Sequence, residues 1–470
     1  MNLLSNKGFS SHEASIFLGM LDAQSSMEAQ IASSLFFRKK LAACQEPPTD
    51  LITAIISKLI ECLDREHTEV QLNASWAITN LACGSRQDTH RIVNLGGVIA
   101  LKRLAENSTG EIRDQVLWAL GNLAADCEKC RNCVRASGML AILINCLEST
   151  PYIQIQPRKI AIWCLVNILR TGMSNIPMND VVRLLRVLHY TISNYQTEEI
   201  ISDGIWCVAY LMDNGNVEVE RINALFEQDG LADEIVQYLK NSSPRILAGA
   251  LRSIGNVITG TDEQTTRMLN NGEVLKDLKN FMESDQPQIS RECIWILSNI
   301  AAGTEDHVSS LFAVNGMIEG IFRLCKDSSA KKRKEAFWVI VNAFTGAGED
   351  VYDHLLSGGV GHVLVQIIDE NSDAALIERT LHTIHSSLFS RPDSRQYTVA
   401  IFQRVGLVKR LYKIATAHES TLLNINSEVA KNILRNFFDI IPEQGKELVQ
   451  TSGISSLTEP IVVKVKRTEH

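Results

Sequence analysis

Six tryptophans occupy one phase of a repeating unit: Trp76, Trp118, Trp163, Trp206, Trp295 and Trp338, separated by 42, 45, 43, 89 and 43 residues. The long step holds two units, with Arg252 standing where a tryptophan is expected. Four residues behind each marker come Asn80, Asn122, Asn167, Tyr210, Asn256, Asn299 and Asn342. On a helix, a spacing of four places both side chains on one face, a turn apart. A carboxamide both donates and accepts hydrogen bonds, which suits it to the unpaired N–H and C=O groups of an extended backbone. An indole offers an apolar wall and attracts a cation by roughly 0.5–2 kcal/mol. A row of tryptophans is either core or binding surface, and a core has no use for a row of amides. The W-x-x-x-N ladder therefore reads as a recognition surface.

The elements that carry the ladder repeat with it. The period of 42–46 residues is that of armadillo or HEAT arrays. Glycine recurs independently at Gly97, Gly138, Gly230, Gly272, Gly316, Gly359 and Gly406, each followed by an apolar helical segment. Each unit then reads as a short helix, a glycine turn, a second helix, a polar break and a third helix bearing the ladder. The fourth unit lacks the glycine and breaks at Pro177 instead, and Pro47-Pro48 divides helices of the first. Strand signals are weak throughout. The expectation is an all-α, right-handed superhelical armadillo-repeat solenoid of about ten repeats. The array spans residues 27–440, between a loosely ordered segment 1–26 and a flexible tail 441–470.

Composition narrows the function classes. Of 470 residues, 45% are hydrophobic and 21% charged, and the net charge is −8, which disfavours nucleic acid and suits a basic partner. No run of 18 apolar residues predicts a membrane span, and the N-terminus has no secretory pattern. The 11 cysteines are scattered mostly through apolar helical runs and read as reduced, intracellular thiols. Cys127, Cys130 and Cys133 form C-x-x-C-x-x-C, but two of them fit the apolar phase of the next helix, so the motif reads as core and no metal is expected. Lys331-Lys332-Arg333-Lys334 reads as a solvated charge run, and the glycines around 346–348 and 358–361 as repeat turns. No constellation of an enzyme is present, and no cofactor is expected.

Several segments closely resemble importin-α: Ala74-Ser75-Trp76-Ala77-Ile78-Thr79-Asn80-Leu81-Ala82-Cys83-Gly84, Leu117-Trp118-Ala119-Leu120-Gly121-Asn122, and residues 251–265. The interruption of the ladder, Tyr210 in an Asn phase and Arg252 in a Trp phase, is similar to that family's pattern too. The likeness covers residues 36 to 438. It implies an adaptor that carries proteins with Lys/Arg-rich nuclear localisation signals, shuttling between cytoplasm and nucleus. The alternative is an armadillo scaffold that binds other peptides and carries nothing.

By that resemblance a larger peptide site uses Trp76, Asn80, Trp118, Asn122, Trp163, Asn167 and Trp206. Asp126 projects one turn beyond Asn122 and is the principal lysine partner expected, assisted by Thr89 and the Gly84 carbonyl, with Asp114, Gln115 and Asp203 adding polar and acidic contacts. A smaller site uses Arg252, Asn256, Asp262, Thr265, Glu292, Trp295, Asn299, Glu335, Trp338 and Asn342. Departures from the family pattern stand at Cys83, Thr345 and Ile160. The family's C-terminal repeats also meet an export receptor, so that partner is implied here. Its long basic N-terminal segment binds importin-β, whereas residues 1–37 hold only Lys7 among Lys and Arg, so importin-β binding is not expected. In the tail, Lys464-Val465-Lys466-Arg467 has the K-x-K-R form of a cargo signal, although a disordered basic end is the simpler reading.

Overall fold

The structure, a computed structural model, describes residues 10–440 apart from 44, 150–153, 174, 214–218, 272, 371–372 and 417–420. Gly272 and the tail with its Lys464–Arg467 signal lie outside the described residues. Among these residues the chain forms 27 α-helices and a single 3-10 turn, with no strand. It divides into two compact units, residues 1–229 and 230–470. Both are built from armadillo repeats.

The second repeat shows how sequence makes the unit. Ser85 caps the short helix Arg86–Asn94 by accepting from the Asp88 N–H. Gly96 then takes a left-handed φ of 83° and starts the helix Gly97–Asn107. The turn residue is thus Gly96, one before the glycine read from the sequence. Gly138, Gly230, Gly316, Gly359 and Gly406 hold the same left-handed conformation in their repeats, which a side chain would strain. A polar break at Ser108-Thr109 leads into the ladder helix Gly110–Asp126.

The other ladder helices are Thr68–Ala82, Ile155–Leu169 and Glu198–Met212 in the first unit, and Pro244–Ile258, Pro287–Ile300 and Ala330–Gly346 in the second. Their inner faces are continuous apolar runs, such as Val116, Leu117, Ala119, Leu120, Leu123 and Ala124, all buried. Thr89 and Thr265, expected at the binding sites, are fully buried at equivalent repeat positions. Thr89 donates to the Ala82 and Ser85 carbonyls, and Thr265 to those of Ile258 and Thr261. Each ties the end of a ladder helix to the next short helix, so its proton is already spent.

Three regions differ from the sequence expectation. In the fourth repeat no short helix forms among the described residues. Thr171 and Gly172 both take positive φ, and the helix Met178–Asn194 begins directly after Pro177. Before residue 27, expected to be loosely ordered, Ser11–Met20 is a helix with a complete capping box between Ser10 and Glu13. The basic run 331–334 is also only partly solvated. Arg333 forks onto Glu370 at 3.1 Å, and Lys334 pairs with Asp373.

At the other end, the helix Thr421–Phe438 buries Ala430, Ile433 and Leu434. Ser427 donates to the Ala415 carbonyl, and Phe437 meets His385 edge-on at 5.7 Å. It is an amphipathic helix with its apolar face buried.

Candidate peptide-binding site

In the first unit the ladder is open. Trp76, Trp163 and Trp206 are half-buried, and Trp118 is 43% exposed, uncommon for so large an apolar side chain. Trp163 lies flat on the preceding ladder helix at Gly121, where an added Cβ would come 2.4 Å from its ring. The glycine beside Asn122 is therefore what lets the next indole approach. Trp206 contacts Tyr210, its own rung partner, at 5.6 Å between ring centroids.

The asparagines spend their donors differently. Asn122 gives both amide hydrogens to the preceding repeat, one to the Thr79 carbonyl at 3.2 Å and one to Cys83 Sγ at 2.8 Å. Cys83, a departure from the family pattern, thus leaves Asn122 with only an acceptor to offer. Asn167 donates to the Trp163 carbonyl, while the buried Nδ2 of Asn80 has no hydrogen-bond partner. Gln115 is buried and turned into the helix interface, where it donates to Thr79 Oγ1 at 2.7 Å.

Asp126 closes its ladder helix at a corner with the preceding short helix. Its Oδ2 lies 3.7 Å from Arg86 Nε and 3.8 Å from His90 Nε2, and is buried without a hydrogen bond. Arg86 is largely exposed and free to swing away, so the carboxylate is available to another cation. Gly84, expected to lend its carbonyl nearby, is exposed. Asp203 is buried in the same unit.

Burial pushes the Asp114 carboxyl above its ordinary range, against a lowering effect of Arg113. As pH falls, Asp114 is therefore neutralised before an ordinary aspartate and stops attracting a cation. Affinity for a basic peptide should drop on acidification from pH 7, and Asp114→Asn should flatten that drop. Calorimetric titration at successive pH values checks it; an identical pH profile in the variant would remove Asp114 from the site.

The second unit's ladder is closed by contrast. Trp295 is only 3% exposed, and Trp338, Asn299 and Asn342 are buried. Asn299 donates to the Trp295 carbonyl and Asn342 to that of Ser298, yet both Oδ1 atoms and Trp295 Nε1 remain without partners. Arg252, in its tryptophan phase, forks onto Glu292 at 3.0 and 2.9 Å and lies 5.5 Å over the Trp295 ring. Glu292, expected to meet the peptide, is thus held from within. Asn256 is buried, Glu335 half-buried and Asp262 exposed at a helix start.

Half of the chain has clear relatives. It is 34% identical over 239 residues to importin subunit alpha-1b of Oryza sativa subsp. japonica, a match covering 50% of this chain and 43% of the relative. It is 30% identical over 245 residues to importin subunit alpha-3 of Arabidopsis thaliana, covering 52% and 45%. Over that stretch the chain is similar to importin-α subunits. It spans under half the length of these importin-α relatives. No protein-family model matches. An engineered protein of known structure superposes over 90% of the chain with a TM-score of 0.73 at 19% identity, which bears on the fold alone.

Some features of this importin-α-like ladder escape a reading of the markers. Arg38 stacks on Trp76 at 3.7 Å while donating to Asn73 Oδ1, so one face of the first indole already carries a guanidinium. Its sequence signal is only a basic residue about one repeat before the tryptophan. Gly121 and Gly255 could have been found, because each immediately precedes a ladder asparagine; Gly255 accommodates Trp295 as Gly121 does Trp163.

Proposed function

We propose that this chain binds extended Lys/Arg-rich peptides along the ladder of its first unit, as a nuclear import adaptor moving between cytoplasm and nucleus. The observation that carries the reading is the open row of indoles in a unit that also holds the Asp126 carboxylate, whose Oδ2 makes no hydrogen bond and meets only Arg86 and His90 at 3.7 and 3.8 Å. Apolar lysine stems fit between indoles while the ammonium heads reach carboxylates. Asn80 Nδ2 has hydrogens unspent for a peptide carbonyl once its side chain turns outward, and Asn122 keeps an acceptor for a peptide N–H. Similarity to importin subunits over half of the chain supports transport cargo as the peptide class, and an export receptor at the C-terminal repeats follows only from the family resemblance of the sequence.

In the second unit a peptide must first displace internal contacts, so this site is the weaker. Trp118→Ala should weaken binding of a Lys-Lys-x-Lys peptide at least about tenfold without lowering the unfolding temperature, because that side chain is already exposed. Fluorescence anisotropy with Trp118→Ala, Trp338→Ala and an all-alanine peptide provides the test. Equal affinity for both peptides would favour a scaffold that binds other partners. A larger loss from Trp338→Ala would reverse the order of the two sites.

A further inference from the structure

The corner that holds Asp126 contains more than a lysine anchor needs. His90 Nε2 lies 3.4 Å from Cys127 Sγ and 3.8 Å from Asp126 Oδ2. One ligand atom from each of His90, Asp126, Cys127 and Cys130 falls within 4.8 Å of all the others. A tetrahedral zinc ion with Zn–S of about 2.3 Å and Zn–N or Zn–O of about 2.0 Å requires separations of about 3.3–3.8 Å between ligands. The His90–Cys127 and His90–Asp126 distances already fall in that window or at its edge.

We infer that His90, Asp126, Cys127 and Cys130 form a Zn²⁺ site, and that its occupancy withdraws Asp126 from peptide recognition. Three observations point the same way. Asp126 Oδ2 is buried, aimed into the cluster and without a hydrogen bond, which is the state of a ligand awaiting a cation. Cys127 caps the helix Glu128–Ala136, and its Sγ accepts from the Cys130 N–H, which fixes this sulfur at the corner shared with Cys130. The donor set is mixed: two sulfurs from C-x-x-C with an imidazole and a carboxylate, a combination suited to zinc and poor for calcium or magnesium. Cys133, half-buried three residues further along the helix, is not among the clustered ligand atoms and takes no part.

The site joins two repeats. His90 sits on the short helix of one, and the other three residues sit where the ladder helix passes into the next repeat's short helix. Two thiolates and one carboxylate around a divalent ion leave one negative charge, which Arg86 at 3.7 Å offsets. A lysine ammonium and a zinc ion would compete for the same oxygen. The competition, though not the metal site, rests on the peptide reading above.

The full-length chain, reduced and stripped with a chelator, would be titrated with Co²⁺ as a spectroscopic stand-in for Zn²⁺. One equivalent should bring up the thiolate-to-cobalt charge-transfer band and the visible bands of tetrahedral cobalt, both erased by added Zn²⁺. Cys127→Ser and His90→Gln, both at half-buried positions, should weaken the metal at least about tenfold while unfolding at the temperature of the stripped parent. Absence of the thiolate band, or the same band and affinity in both variants, would overturn the site. Zinc-loaded protein should bind a Lys-Lys-x-Lys peptide at least about tenfold more weakly than stripped protein. Unchanged peptide affinity in metal-loaded protein would overturn the competition and the role of Asp126 while leaving the metal site. A stripped protein that binds no peptide would instead sink the proposed function, with the cobalt titration still deciding the site.

Discussion

Asp126→Lys should abolish binding of a monopartite basic peptide while leaving the far-ultraviolet circular dichroism unchanged. The substitution exchanges an attraction for a repulsion at a side chain that is largely shielded from solvent, which costs about 2–5 kcal/mol, or roughly thirtyfold to several-thousandfold in affinity. The fold should tolerate it because Asp126 ends its helix. The new ammonium would sit near Arg86 and His90, whose exposed or half-exposed side chains can turn away. Asp126→Asn should fall between the two, keeping the shape and losing the charge. Measuring all three in excess chelator separates this effect from metal binding. Parental affinity in a normally folded Asp126→Lys protein would move the lysine anchor elsewhere, with Asp203 the next carboxylate in the same unit.

Much of the fold was legible because the repeat is written twice, once in tryptophans and once in glycines. A left-handed turn needs glycine whatever surrounds it, so the second marker survives even where the ladder fails. The fourth repeat was only partly legible. Loss of its glycine was visible, but Thr171 and Gly172 replacing a whole short helix was not, since a β-branched threonine gives no sign of the positive φ it adopts beside Gly172. The N-terminal helix Ser11–Met20 escaped for another reason. Its apolar residues, Ala14, Ile16, Phe17, Leu18 and Met20, are spread round the helix without forming a stripe, and its signal is the local capping box, Ser10 with Glu13.

The candidate site was legible in residue types and less so in state. W-x-x-x-N spacing reports which side chains share a face, but not whether the face is open. That depends on partners about one repeat away: Arg38 on Trp76, Cys83 on Asn122, Gly121 under Trp163. The pairing of Asp126 and His90 with C-x-x-C is of the same kind. His90 lies 37 residues before Cys127, and only the stacking of successive repeats brings their side chains together.

The buried fork between Arg252 and Glu292 should be the most stability-sensitive polar contact in the second unit's ladder. Arg252→Leu should destabilise that unit by about 3–5 kcal/mol, because Glu292 would be left charged and buried without its two charge-assisted hydrogen bonds. The double variant Arg252→Leu with Glu292→Leu should recover most of the loss, since well-packed apolar side chains of similar volume replace a buried ion pair at little or no cost. Denaturant unfolding followed by tryptophan fluorescence reads this directly, because Trp295 lies against the pair. A single variant that loses under about 1 kcal/mol would show the pair to be no better than a surface salt bridge. The same experiment bears on recognition. Arg252 brings to Trp295 and Glu292 the cation that a peptide lysine would bring, so an incoming peptide must supply better contacts than those it displaces. Trp295→Ala should therefore disturb the fold of the second unit more than it disturbs peptide affinity, the reverse of Trp118→Ala in the first.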